Sequence, residues 1–178
     1  MHYRKHLRDL FRMLIVFAVM SNIVYAGGLP KQTVLPLKLA SQSADAAMAQ
    51  CRLDGYKVSV AVVDRSGVLM YQIRDDGAGV HTVDSSRRKA YTAASMRAPT
   101  QFFAELISSV PEVQGLRDMN DSILILGGGL PVKLSGEVVG GIGVGGAPGG
   151  KLDEACARAG LKAINADLYE QLKEVSDN

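Results

Sequence analysis

Residues 126–150 read LGGGLPVKLSGEVVGGIGVGGAPGG and hold 11 of the chain's 19 glycines. Leu130, Val132 and Leu134 alternate with Pro131, Lys133 and Ser135. After the Ser135-Gly136 turn, Val138, Val139, Ile142 and Val144 resume the apolar rhythm. A period near two with a turn pair between its halves is the pattern of a β-hairpin. Gly140, Gly141, Gly143, Gly145 and Gly146 weaken a strand entropically, so they need a compensating reason. Two remain open on the sequence alone: close packing of a helix across the sheet, or the approach of a flat ligand.

Upstream, Lys57–Asp64 (KVSVAVVD) reads as a strand with Val58, Val60 and Val62 on one face. Asp64-Arg65-Ser66-Gly67 is turn chemistry, and Val68–Arg74 completes a second hairpin. Helical spacing of Leu37, Ala40, Ala44, Ala47, Met48 and Cys51 predicts a helix over Leu37–Leu53, ended by Gly55. Thr82 is expected to cap a helix reaching about Arg97, with Asp84 in its first turn. Pro99 stops that helix, and Thr100 is expected to cap another that carries Phe102, Phe103, Leu106 and Ile107. After a connector over Ser108–Ser122, the apolar Ile123–Leu126 reads as a fifth strand. A last helix is expected over about Leu152–Lys173, with Ala155, Ala159 and Ala163 as a small row and Leu161, Ile164, Leu168 and Leu172 as bulk. The order α-ββ-αα-βββ-α predicts an antiparallel α+β domain with a five-stranded sheet.

The first 26 residues read as a secretory signal peptide rather than as part of this domain. Arg4, Lys5, Arg8 and Arg12 precede an apolar MLIVFAVM, and Val24-Tyr25-Ala26 supplies a small-residue cleavage site. The expected division is therefore a signal over 1–26, a mobile lead over 27–36 and a domain over 37–178. With cleavage after Ala26 the mature protein is expected in the periplasm or secreted; a retained anchor is the alternative, though the apolar run is shorter than the ~20 residues a spanning helix needs. The signal holds four of the 20 Lys and Arg and one of the 18 Asp and Glu, leaving 16 basic against 17 acidic residues. No basic stripe or aromatic ladder then remains for nucleic acid. Cys51 and Cys156 lie on helices at opposite ends of the domain. In an oxidising compartment a bridge would close a loop of more than 100 residues, and two buried free thiols are the alternative. Two cysteines so far apart have no metal-ligand spacing.

Four segments together carry a family resemblance: VSVAVVDRSG (58–67), DGAGVHTVDSSRRKAYTAASMRAPT (76–100), GGGLPV (127–132) and GEVVGGIGVGGAPGGKLDEACARAG (136–160). In this order they resemble the GlcG/HbpS family of haem-binding proteins, whose domain also ends the PduO-type corrinoid adenosyltransferases. The resemblance implies a profilin-like fold, a five-stranded antiparallel sheet flanked by helices, and assembly as a homo-oligomer. It also implies haem as the ligand, with a role in haem or iron handling. Degradation of the bound porphyrin is one alternative, and a redox or ligand sensor docking on a membrane partner is another.

Within that frame His81 is the single imidazole after the signal, since His2 and His6 precede residue 27. It is the candidate ligand of a haem iron, reached through the glycine-flexible loop Gly77-Ala78-Gly79; a capping or surface role is the plainer reading. Arg87, Arg88 and Lys89 are candidates for pairing with haem propionates, because guanidinium matches carboxylate bidentately. Consecutive helical positions cannot all face one site, and a solvated face paired with Asp84 is the alternative. Tyr91, Met96 and Thr100 complete the candidate set. Gly127-Gly128-Gly129 lacks the Lys-Ser/Thr tail of a phosphate loop and reads as a tight strand connection.

Overall fold

The computed structural model describes residues 31–167. The expected signal and its cleavage point, as well as Leu168 and Leu172, lie outside the described residues. The chain divides between Gln32 and Thr33, and everything below concerns the second unit.

That unit contains α1 (Leu37–Leu53), β1 (Ser59–Asp64), β2 (Leu69–Arg74), α2 (His81–Met96) and α3 (Thr100–Ser109). A 3-10 helix (Pro111–Asp118), β3 (Gly129–Leu134), β4 (Glu137–Gly145) and α4 (Gly150–Ala163) follow. The strands form one antiparallel sheet in the order β2-β1-β4-β3. The class is α+β as expected, but the described sheet has four strands, not five.

The missing strand is Ile123–Leu126. Its backbone groups are taken by other partners: the Leu124 amide donates to Thr92 Oγ1 at 2.8 Å, and the Ile123 carbonyl accepts from Arg88 Nη2 at 2.7 Å. The Ile123 amide donates to the Asn120 carbonyl and the Leu126 amide to the Leu124 carbonyl, so most of the segment's backbone groups are engaged by α2 or locally instead of in a ladder. A short apolar run cannot reveal this, because its periodicity fits a buried strand and a buried connector equally well.

The glycine-rich hairpin sets the layers. Ser135 and Gly136 both have positive φ (53° and 80°), the conformation a two-residue hairpin turn needs to match strand twist. Opposite β1, Val144 faces Val60 and Ile142 faces Val62, while Gly145, Gly143 and Gly141 face Ser59, Ala61 and Val63. The bulky set packs under α1 and α4 as the main core, and Leu130, Val132 and Val139 join it. A register shift at Val132/Lys133 puts Val139 on the same face as Ile142, which explains their odd spacing.

The small set lies under α2, where a smaller cluster of Ala61, Val63, Ala90 and Ala94 is buried. A Cβ on Gly143 would sit 2.5 Å from the Ala90 backbone nitrogen and closer still to the Ser86 carbonyl. One on Gly141 would strike the Ala90 carbonyl. The glycine face is therefore filled by a helix backbone, and of the two readings left open by the sequence the packing one holds.

Helix ends explain other departures from expectation. α1 closes as expected, with Gly55 at φ 83° and the Tyr56 amide donating back to the Cys51 carbonyl at 2.8 Å. α4 stops at Ala163 rather than near Lys173, because Asn165 takes φ 52° and the Ala166 amide returns to the Leu161 carbonyl at 3.0 Å. Neither Thr82 nor Thr100 caps its helix: Thr82 Oγ1 bonds Ser59 Oγ at 2.7 Å, and Thr100 Oγ1 accepts from the Gly129 amide at 2.8 Å. Within the expected lead, Leu35 is 4% exposed and belongs to the main core.

Cys51 and Cys156 are joined, with Cα atoms 5.5 Å apart and a sequence separation of 105. α1 and α4 can bring them together because small residues line their contact; a Cβ on Gly160 would strike the Ser43 carbonyl.

Candidate functional site

α2 organises the site region. It buries Thr82, Ser86, Lys89, Ala90 and Ala93 toward the sheet and turns Asp84, Arg87, Arg88 and Tyr91 outward or to its flanks. The consecutive basic residues thereby part company, as 100° per residue requires.

Lys89 is an interior residue. Its side chain is 2% exposed, and Nζ donates to Asp153 Oδ2 at 2.7 Å and to the Val144 carbonyl at 2.9 Å. Asp153, in the first turn of α4, also accepts from the Ala147 amide at 2.9 Å. Burial holds the Asp153 carboxyl above its usual range, while the charge and hydrogen bond of Lys89 oppose that rise. The pair ties α2 to the end of β4 and the start of α4, so Lys89 is not on a solvated face. Gly127-Gly128-Gly129 threads past it: a Cβ on Gly128 would lie 2.6 Å from Asp153 Cβ and 3.0 Å from Lys89 Nζ. This agrees with a tight strand connection.

The other candidates are dispersed. Arg87 pairs with Asp84 at 3.0 Å on the surface. The Tyr91 ring packs on the β1–β2 turn, where a Cβ on Gly67 would come within 2.6 Å of Cε2. Thr100 is buried against Gly129, and Met96 is half-buried in the last turn of α2. His81 is the exposed first residue of α2, its ring folded beside Gly79. The loop before it is not free to swing: Ala78 is buried, and its carbonyl accepts from Arg74 Nε at 2.9 Å.

Arg88 lines a cavity. A cleft of about 440 Å³ opens between α2, α3 and the 3-10 helix. Ile107, Ile123 and Leu124 form its apolar wall, and Arg88, Arg117 and Asp118 bring charge to it. Its size falls within the range of small-molecule sites, which combine apolar walls with a few convergent polar groups. Arg88 is held by the Ile123 carbonyl and lies 3.8 Å from Asp84, yet its Nε is buried with no hydrogen-bond partner. A second recess of about 390 Å³, between α1 and β2, differs in this respect. Its Arg52 is committed to Asp75 at 2.7 Å and its Arg74 to Ala78, so neither guanidinium faces it unengaged. Among the described residues no cluster of three His, Cys, Asp or Glu side chains could hold a metal ion.

Arg117 and the cleft itself were missed by sequence reasoning. Arg117 sits in what reads as a plain connector, and only its helical curl brings it opposite Arg88, 29 positions earlier in the chain.

Comparison with known proteins accords with the four segments quoted above. Residues 35–162 match the family described as haem degrading protein HbpS-like. The chain belongs to this HbpS-like family. A crystal structure of a double mutant of Streptomyces reticuli HbpS is 45% identical, covers 78% of this chain and 92% of its own, and superposes with a TM-score of 0.71. A 15.0 kDa protein from the dhaT-dhaS intergenic region of Citrobacter freundii is 36% identical over 63% of this chain and 80% of its own length. Protein GlcG of Escherichia coli K12 is 29% identical over 64% of this chain and 82% of its own. These relatives span most of the described unit, so the resemblance is to the whole domain and not to one motif.

Proposed function

We propose that this protein is an exported haem-binding member of the HbpS-like family and holds its ligand along the flank of α2 that faces the cleft. The observation that carries the reading is the family match over 35–162, a family described by its action on haem. The site agrees with it chemically: apolar side chains line the cleft beside the guanidinium groups of Arg88 and Arg117, which suit a propionate. His81 and Arg88 stand seven positions apart on α2, two turns along the same flank, or about 10 Å along the axis. His81 would serve the iron and Arg88 a propionate. Bound haem would supply the iron-centred oxygen and redox chemistry; the protein would bind, orient and shield it.

Haem titration of the protein from Gly27 onward, followed by absorbance, tests this reading. We expect saturable binding with a Soret band that shifts and weakens in His81→Ala. Folding of that variant should stay within about half a kcal/mol, since His81 is exposed. A chain that takes up no haem overturns the reading, while an unchanged spectrum in His81→Ala moves the iron ligand elsewhere. The family's description also favours a second reading, degradation of the bound porphyrin. Loss of the Soret band under reductant and oxygen, faster than for free haem, supports it.

A further inference from the structure

We infer that the turn between β2 and α2 is a site of spontaneous main-chain isomerisation: Asp76 converts to isoaspartate through a cyclic imide with Gly77, and the aged protein thereby becomes a substrate for an isoaspartyl carboxyl methyltransferase. The inference is independent of the haem reading above.

Asp-Gly is the pair at which this reaction meets least hindrance, because no side chain shields the attacking nitrogen. The chain has two such pairs, Asp54-Gly55 and Asp76-Gly77, and all four residues are exposed. Exposure therefore does not separate them, but hydrogen bonding does. The Asp54 carboxylate accepts from Gln50 Nε2 at 3.0 and 3.1 Å, and the Gly55 amide donates to the Arg52 carbonyl at 3.1 Å. Asp76 instead takes the second position of a turn closed by the Ala78 amide on the Asp75 carbonyl at 3.1 Å, with Gly77 at φ 80° as a type II turn requires. Its carboxylate accepts no hydrogen bond, and neither the Asp76 carbonyl nor the Gly77 amide has a partner among the described residues. That peptide unit can rotate to bring its nitrogen onto the carboxyl without breaking a hydrogen bond, and the space around Gly77 is open. The N–Cγ bond forms as a Cγ–O bond breaks, and the amide proton leaves with the hydroxyl as water. Water then adds to the ring at either carbonyl, and opening at the original main-chain carbonyl routes the chain through Cγ. Mass is unchanged, and no oxidant or reductant is consumed. The extra methylene lengthens a turn whose next residue is pinned: Ala78 is 2% exposed, and its carbonyl holds Arg74.

The test ages the purified protein at physiological temperature and neutral pH, folded and in guanidinium. Isoaspartate is then labelled with the methyltransferase and radiolabelled S-adenosylmethionine, and the label is located by peptide mapping. In the folded protein, label at Asp76 should exceed that at Asp54 about tenfold, since Asp54 must first give up a hydrogen bond at each reacting group. Asp76→Glu should abolish that label and Asp54→Glu should leave it. Asp76 is exposed, so circular dichroism should report an unchanged fold in Asp76→Glu. In guanidinium the two sites should label alike, because only the fold distinguishes them. Equal or greater label at Asp54 in the folded protein overturns the inference, as does a preference for Asp76 that is just as large in guanidinium. An unlabelled Asp76 in the folded protein, where the unfolded chain labels, overturns it too.

Discussion

Replacing Lys89 by Met should be among the most damaging single changes in the domain, though Lys89 lies in a segment where the sequence suggests a ligand-facing basic cluster. The substitution keeps most of the aliphatic stem and removes Nζ. Asp153 then stays 3% exposed with only the Ala147 amide as donor, and the Val144 carbonyl loses its Lys89 partner. Breaking one partner of a buried pair costs about 3–5 kcal/mol, because the other charge is stranded. For a domain of this size that is roughly 8–15 °C in Tm.

The pH dependence gives the reasoning a sign. Burial raises the Asp153 carboxyl and Lys89 opposes the rise, so removing Lys89 lets it climb further. A carboxyl whose folded pKa lies above its unfolded value is tolerated below the unfolded value. Its cost grows as pH rises through the window up to the folded pKa. The defect of Lys89→Met should therefore be largest at neutral pH and shrink toward about pH 4, where Asp153 is protonated. Adding Asp153→Leu should recover part of the loss at neutral pH, since an apolar replacement of both partners leaves no stranded charge. Urea unfolding of the single and double variants at the two pH values measures all of this. A Lys89→Met variant within about 1 kcal/mol of the parent at neutral pH, or strictly additive variants, refutes the interior pair as described.

Gly143→Ala should cost about 1–3 kcal/mol, because its Cβ meets the backbone of α2 at Ser86 and Ala90 and nothing there can rotate away. Gly136→Ala, with open space but φ 80°, isolates the conformational cost. If its urea midpoint falls as far as that of Gly143→Ala, close packing is not what Gly143 provides. Converting Cys51 and Cys156 to Ser should lower stability by about 4–5 kcal/mol in the chain-entropy model, given the 105-residue separation. Equal midpoints for the parent and the double variant would contradict that. Asp75→Asn should destabilise at neutral pH and converge with the parent in acid. The Arg52 hydrogen bond holds the Asp75 carboxyl below its usual range, so its contribution is present above the unfolded pKa and lost as pH falls through the folded one. Parallel pH–stability curves would exclude a role for this pair.

The hairpins, their turns and the first helix were legible from residues 37–145 because their signals are local. Alternation, a Ser-Gly turn and a glycine after a periodic run each act within a few residues. The alternation of glycine with Ile142 and Val144 also encoded a sheet with one bulky and one bare face, but not what covers the bare one. That was decided by α2, whose backbone comes from some 50 positions earlier in the chain. The same distance in sequence hid the rest of the site. Lys89 reads as one more cation beside Arg87 and Arg88 until Asp153, 64 residues on, is brought to its Nζ. Ile123–Leu126 reads as a strand until Arg88 and Thr92 occupy its backbone groups. Arg117 reads as a connector residue until the fold sets it across a cleft from Arg88. Periodicity records which side of an element is apolar. Which polar group meets which is settled only when elements pack, because an ion pair or an uncommitted donor is a relation between residues that no single stretch contains.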